Sequence, residues 1–249
     1  MNPTPAIRLQ DLTVGYDRQP ALRQVSGSFG TGSLTAVMGP NGAGKTTLLK
    51  TISGLLPPTS GRVELVDARR EEVAYLPQRS EIDRSFPIAV QDVVGLGRWR
   101  RTGAFRPLGR AGAETVARAL GQVGLEGSAR RPIGALSAGQ FQRVLFARLI
   151  VQDCRVILLD EPFAAVDART TADLLEIVHA WHRERRTVVV VLHDLAIARA
   201  HFPETLLLAR EVIDWGPSER VLQPDQLLRA WGLPDALKET PSMRLRRSA

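Results

Sequence analysis

The chain has 249 residues, of which 44% are hydrophobic and 24% charged, and its formal net charge is +7. This is ordinary composition for a globular protein with one sizeable core. The longest apolar runs, Val188–Leu192 and Leu206–Ala209, fall far short of the roughly 20 residues that a membrane-spanning helix needs, which argues against a membrane pore.

The pattern of elements along the chain predicts an α/β fold. Short strands are expected over residues 1 to about 30 and at Val63–Val66, followed later by alternating strands and helices typical of a layered core. A helix-rich insertion is predicted at about 79–150, and the tail at about 217–249 contains helical pieces separated by prolines. No low-complexity linker divides the chain, so we predict one domain spanning 1–249.

A complete phosphate-binding loop follows the apolar run Leu34–Met38 and precedes a helical pattern. Backbone N–H groups of such a glycine loop curl around a phosphate, and the helix that follows adds unpaired donors and a positive dipole end. Lys45 is expected to reach the outer phosphates, and the Thr46 hydroxyl to hold Mg²⁺. The predicted nucleotide-binding residues of this segment are Gly39, Pro40, Asn41, Gly42, Ala43, Gly44, Lys45, Thr46 and Thr47.

Two later segments narrow the class of nucleotide-binding protein. Leu136-Ser137-Ala138-Gly139-Gln140 precedes a helical pattern, and Ser137 is a plausible helix N-cap. Val156–Asp160 is a continuous apolar run that ends in an acid, as expected of a buried parallel strand, and Glu161 follows at once. In a P-loop protein, an aspartate at that strand end orders Mg²⁺.

These motifs, in this order, resemble the ATP-binding-cassette (ABC) family, and the resemblance covers essentially the whole chain. It implies a P-loop NTPase core with an N-terminal antiparallel β-subdomain and a helical subdomain that carries the signature loop. In that family, Glu161 would polarise the attacking water. General-base assistance of this kind is typically worth a factor of about 10²–10⁴ in rate.

The resemblance also assigns roles to single residues. Tyr16 would stack on adenine, Gln78 would join the Mg²⁺ and water site, and His193 would touch the γ-phosphate. Asp167 would lie against the opposite subunit. Ser137, Ala138, Gly139 and Gln140 would close over ATP held by a second copy, so the resemblance implies a homodimer with ATP and Mg²⁺ between the subunits.

Two positions depart from the family pattern. Glycine usually stands where this chain has Ala138, and an added methyl group there can crowd the phosphate or restrict φ, so we expect slower turnover. Serine usually stands where this chain has Ala164, so one hydrogen bond between the subunits is expected to be missing.

The stretch from Tyr75 to Val94 resembles the ATPase subunits of bacterial manganese and zinc importers. In those systems it faces an integral membrane permease, and an extracytoplasmic binding protein delivers the metal. ATPases of iron–siderophore and cobalamin importers are the nearest alternative. A soluble cassette ATPase acting on nucleic acid, and a regulator with little hydrolysis, are less favoured alternatives.

Charge, cysteine content and histidine content bear on partners and location. The acid-free basic stretch between Arg98 and Arg110 is interpreted as a solvated or membrane-proximal face, with no nucleic-acid partner.

The single Cys154 excludes an internal disulfide, and the first residues carry no signal-peptide pattern, so we expect a cytoplasmic protein, peripheral to the inner membrane. His179 and His182 share a predicted helix face but form at best a weak metal site.

Overall fold

A computed structural model describes residues 4–16, 19–78, 82–99, 103 and 109–232. Several predictions fall outside these residues. They concern the first residues of the helical insertion at 79–81, part of the basic stretch, and the tail from 233 onward with its last two prolines. They are therefore not developed further.

An antiparallel ribbon forms the N-terminal subdomain. Strands β1 (Pro5–Tyr16) and β2 (Gln19–Gly30) pair with each other, and β4 (Ser60–Leu65) pairs with the other edge of β1. The prediction of short strands is wrong here, because β1 and β2 have 12 residues each. Irregular pairing, with Asp11 and Gln24 at positive φ, lets the ribbon bend and continue instead of ending.

The main sheet has six strands in the order β5-β6-β7-β3-β8-β9, and all are parallel except β9, which pairs antiparallel with β8. The bounds of the strands not yet given are β3 (Leu34–Met38), β5 (Val73–Leu76), β6 (Val156–Asp160), β7 (Thr187–Val191), β8 (Glu204–Ala209) and β9 (Glu211–Pro217). The helices are α1 (Lys45–Ile52), α2 (Val90–Gly95), α3 (Gly109–Gln122), α4 (Ala138–Gln152), α5 (Ala168–Arg183), α6 (Leu195–His201), α7 (Ser218–Val221) and α8 (Pro224–Trp231).

Both faces of the parallel sheet are buried, which is why its strands read as unbroken apolar runs. Alternate residues of one strand enter different cores: Ala36 and Met38 face the side covered by α4 and α5, while Val37 faces the ribbon and α1. The carboxyl ends of β3, β6 and β7 therefore meet along one edge. In α/β sheets this is where ligands bind.

The helical subdomain packs on the first of these faces. The helix predicted after the signature residues is α4, and its Phe141, Val144, Leu145 and Leu149 are all buried. Phe146 stacks on Trp181 of α5 with ring centroids 5.6 Å apart. The start of α4 is thereby fixed to the sheet through its own side chains.

Within the described residues, the helices are too short or too polar to span a bilayer.

Candidate functional site

The phosphate-binding loop connects the end of β3 to the start of α1, as predicted. Gly39 and Gly44 have φ of 149° and 91°, which side chains rarely tolerate. A Cβ at Gly39 would lie 1.9 Å from the Leu208 carbonyl oxygen, and one at Gly44 would lie 2.5 Å from the Ala21 carbonyl oxygen. Gly42, in contrast, has none of the described residues within 4 Å of its Cβ position, which leaves this side of the loop open to a ligand among them.

Lys45 lies buried at the first position of α1. Its ammonium donates to the carbonyl oxygens of Gly39 at 2.8 Å and Pro40 at 2.9 Å, which holds the loop in a closed curve. Burial lowers the pKa of Lys45, and the carboxylates of Glu161 and Asp160 oppose that shift. Lys45 and this acidic pair, far apart in sequence, thus share one electrostatic environment.

Three predicted catalytic side chains meet at Glu161, directly after β6. Its Oε1 accepts a hydrogen bond of 2.6 Å from Gln78 Nε2 and lies 2.5 Å from His193 Nε2. Glu161 has φ of 51°, a left-handed conformation that turns the chain sharply at the strand end. A carboxylate held from two sides in this way is suited to orient and polarise a water molecule.

Asp160, the last residue of β6, is buried and accepts a hydrogen bond of 3.3 Å from the Tyr75 hydroxyl. Sequence reasoning did not assign Tyr75 a place in the site, although β5 and β6 are neighbours in the same sheet. Asp160 and the Thr46 hydroxyl carry oxygen atoms of the kind that Mg²⁺ prefers as ligands, and nucleotide phosphates and water would supply the others. The donor chemistry therefore fits Mg²⁺, and Glu161 holds the amide of Gln78, the third predicted ligand.

Tyr16 ends β1, and its side chain is 49% exposed. The β1–β2 ribbon also borders the phosphate-binding loop, because Ala21 and Leu22 of β2 approach Gly44. An exposed ring on that ribbon is available for stacking on a base.

The signature residues begin α4, with Ser137 as its N-cap. The Ser137 hydroxyl accepts from the Gln140 backbone N–H at 3.2 Å, and Gln140 Oε1 accepts from the Ser137 N–H at 3.1 Å. This reciprocal capping box confirms the predicted cap. Ser137 is exposed, and a Cβ at Gly139 would lie 3.1 Å from Thr170 Oγ1 at the start of α5.

Asp167 caps α5 in the same way. Its carboxylate accepts from the Thr170 N–H at 2.8 Å and from the Thr170 hydroxyl at 2.9 Å, and these hydrogen bonds lower the pKa of Asp167. Sequence reasoning missed Thr170, whose place three residues after a capping aspartate was the available signal. Asp167 therefore lies near Gly139 of its own chain.

The two departures from the family pattern differ in their structural effect. Ala138 is the first residue of α4, in helical conformation, so its methyl group does not strain the backbone. Ala164 closes a turn that begins at Glu161, since its N–H donates to the Glu161 carbonyl oxygen at 3.2 Å. The next residue, Ala165, has φ of 54°, and the turn follows directly on the carboxyl end of β6.

Histidines outside the site have other partners. His182 Nδ1 lies 2.9 Å from the Gly32 carbonyl oxygen, whereas the His179 ring packs on His201 with centroids 5.3 Å apart. In the part of the chain that the structure describes, no three His, Cys, Asp or Glu side chains are grouped to hold a metal ion.

Comparison with known proteins agrees with this geometry. The family model described as ABC transporter matches residues 22–164. The manganese transport system ATP-binding protein of Listeria monocytogenes is 38% identical over 230 residues, covering 91% of this chain and 96% of that protein. The zinc transport system ATP-binding protein of Treponema pallidum is 38% identical over 231 residues, covering 91% and 87%.

A solved structure, an inward-facing ABC transporter described as metal-chelate type, superimposes with a TM-score of 0.82 at 27% identity, covering 93% of this chain and 90% of that one. Its fold, the family match over more than half of the chain and the site at the sheet edge lead to one conclusion. The chain belongs to the ABC transporter family and is an ATP-binding, ATP-hydrolysing cassette of that family.

Proposed function

We propose that this chain is the motor subunit of a membrane importer for a divalent transition metal, zinc or manganese. The observation that carries the proposal is the convergence of Gln78 and His193 on Glu161, beside the buried Lys45. A carboxylate so placed, next to a phosphate-binding loop, favours hydrolysis of a terminal phosphate over mere binding.

Within one subunit, the loop amides and Lys45 would cradle the triphosphate, and Tyr16 would stack on adenine. Thr46, Asp160 and Gln78 would hold Mg²⁺, which neutralises phosphate charge when bound. Glu161 would accept a proton from the attacking water, and His193 would hold Glu161 on one side while facing the γ-phosphate.

The other half of the site would come from a second copy. Ser137, Ala138, Gly139 and Gln140 form the start of α4, where the N–H donors of a helix N-terminus that the capping box leaves unused suit an anion. Head-to-tail association of two copies would place each signature loop over the partner's ATP, with Asp167 at the interface. Charge-assisted hydrogen bonds contribute about 1.5–3 kcal/mol each, so loss of the γ-phosphate would weaken the dimer.

A groove between the main sheet and the helical subdomain supports a permease partner. It is lined by apolar side chains that a lone subunit would expose to water, including Leu55, Leu96 and Trp99, which are 66%, 42% and 52% exposed. An exposed apolar groove of this kind marks a protein contact. We assign it to a cytoplasmic segment of an integral membrane permease, which places the chain at the inner face of the membrane.

The choice of cargo depends on the relatives. Those named for manganese and zinc transport share 38% identity, more than the 27% of the metal-chelate-type transporter, which disfavours an iron–siderophore or cobalamin system. An extracytoplasmic protein would deliver the ion to the permease.

The Glu161→Gln variant tests the motor function. We expect ATP turnover to fall by about 10²–10³, because the amide cannot accept the proton, while ATP binding is retained. ATP-bound dimers should accumulate and be detected by size-exclusion chromatography with light scattering. The control Glu211→Gln, at the exposed first residue of β9, should leave turnover unchanged. Parental turnover in Glu161→Gln would disprove the assigned role.

The cargo is tested by deleting the gene and measuring metal accumulation with zinc and manganese supplied separately. One of the two should accumulate more slowly, and the intact gene should restore it whereas the Glu161→Gln version should not. Unchanged accumulation of both metals would refute metal import.

A further inference from the structure

Arg84 contacts the start of the signature helix α4 from two sides. Its Nη2 donates to the carbonyl oxygens of Ile133, at 3.3 Å, and Leu136. Its guanidinium also lies over the Phe141 ring, with Cζ 4.8 Å from the ring centroid. These three partners bracket Ser137, so one side chain holds the chain before the helix and the first turn after it.

The backbone around Arg84 is itself fixed. The carboxylate of Asp83 accepts from the Ser85 N–H at 2.8 Å and the Ser85 hydroxyl at 2.7 Å, forming a tight turn with Arg84 at its centre. The next residues are joined to the stretch that leads into the signature loop: the Ile133 N–H donates to Ile88, and the Val90 N–H to Arg131. Hydrogen bonds on both sides of Arg84 thus fix the path of the backbone that carries it.

Arg84 holds the Leu136–Ser137 peptide through its carbonyl oxygen, and the orientation of this peptide determines the direction of the Ser137 N–H. In a trans peptide, the carbonyl oxygen of one residue and the N–H of the next point in opposite directions. Holding the Leu136 carbonyl oxygen towards the guanidinium therefore turns the Ser137 N–H away from it, to the side where Gln140 Oε1 accepts it. The planar, delocalised guanidinium suits this position because it can donate to two oxygens and stack on a ring at once.

We propose that Arg84 is the positioning residue of the signature loop. It fixes the Leu136–Ser137 peptide so that Ser137 and Gly139 face the ATP bound by the partner subunit. This inference rests on the proposed head-to-tail dimer. It would also join the segment around Arg84, part of the stretch that resembles the permease-facing region of metal importers, to the donors that act in the other subunit's site.

The first test compares Arg84→Ala, Arg84→Lys and a matched control. In Arg84→Ala, we expect kcat for ATP to fall at least about tenfold, the equivalent of one charge-assisted hydrogen bond, with nucleotide binding to the isolated subunit unchanged. Arg84→Lys keeps the charge but not the planar fork, so it should be intermediate. The control Arg131→Ala removes an exposed arginine that donates at 3.1 Å to the neighbouring Ala135 carbonyl oxygen, and it should change kcat by less than about twofold.

The second test separates action on the partner's site from damage to the chain's own site. A mixed dimer of one Arg84→Ala subunit and one Glu161→Gln subunit has one site with an intact Glu161 and an intact signature loop. We expect its turnover to equal that of a mixed dimer of wild-type and Glu161→Gln subunits. Turnover as low as that of the Arg84→Ala homodimer would overturn the proposal, as would an Arg84→Ala homodimer as active as wild type.

The outcomes also distinguish this proposal from the proposed function. If wild-type subunits neither associate with ATP nor hydrolyse it, both proposals fail. If the wild type does both and the Arg84 variants match it, only the role of Arg84 fails. Arg84→Lys keeps the test decisive if Arg84→Ala does not fold. In that case, a Lys variant without a loss of kcat, or one that the mixed dimer does not rescue, refutes the assignment.

Discussion

In the proposed dimer, the phosphate-binding end of the sheet and the signature loop would be two halves of one site, and they have opposite structural character. At the sheet edge, Lys45 and Asp160 are buried, and Glu161 has side-chain partners within its own chain. At the signature loop, Ser137 is exposed and its hydrogen bonds serve only to cap α4. The side chains of the first half are thus buried or paired within the chain, whereas the second half lies at the surface.

This difference indicates which parts of the fold position the residues of each half. Buried strands place the residues after β3, β6 and β7 within a fixed sheet, so their geometry follows from the core. The signature residues have no such strand and depend on helix capping and on Arg84. We therefore expect changes to the phosphate-binding loop of the first half to weaken nucleotide binding, and changes to the second half to spare binding but slow turnover.

The largest effect is expected from Lys45→Ala. The change removes the ammonium that holds the loop and would contact the phosphates, so ATP affinity should fall at least about 100-fold, as for the loss of one or two charge-assisted hydrogen bonds. A fluorescent nucleotide titration measures this. Lys50→Ala, in the last turn of the same helix, is the control and should bind ATP like wild type. If Lys45→Ala keeps the wild-type affinity for ATP, the distinction drawn here between the two halves is wrong.

A smaller effect is expected from Ser137→Asp, which separates helix capping from contact with ATP. Aspartate is as good an N-cap as serine, so the free energy of unfolding should not change. Its charge would repel the partner's phosphates, so turnover should fall at least about tenfold while ATP binding by the isolated subunit is retained.

Ser137→Ala provides the complementary control. It should lower the free energy of unfolding by about 1 kcal/mol through loss of the cap. Urea unfolding and steady-state hydrolysis measure the two quantities on the same samples. Full turnover in Ser137→Asp would show that this loop does not meet the nucleotide.

The smallest effect is expected from Ala138→Gly, which restores the usual family residue. Because Ala138 has helical conformation, glycine should lower the free energy of unfolding by roughly 0.5–1 kcal/mol. Turnover should rise no more than about threefold, since the methyl group does not strain the backbone. Hydrolysis rates and thermal unfolding measured in parallel test this expectation. A rise of tenfold or more would mean that the methyl group blocks the approach of the phosphate.

The sequence by itself determined the local features of the structure, such as where strands end and where helices begin. An apolar run followed by a glycine loop predicts a strand and its turn, and Ser137 predicts a helix start, because these preferences depend on the chain's own backbone. The predicted strands Leu34–Met38 and Val156–Asp160 are confirmed with the same bounds. The full length of β1 and β2 was not predicted, because it depends on the pairing of the two strands with each other and of β1 with β4.

Only the tertiary structure decided which side chains meet. Two hydrogen bonds, from Gln78 to Glu161 and from Arg84 to the Leu136 carbonyl oxygen, join residues far apart in sequence. Local secondary-structure propensities do not determine which residues far apart in sequence come into contact. Such contacts follow from the order of strands in the sheet and from the packing of α4 against it, which bring separate strand ends and loops to common positions.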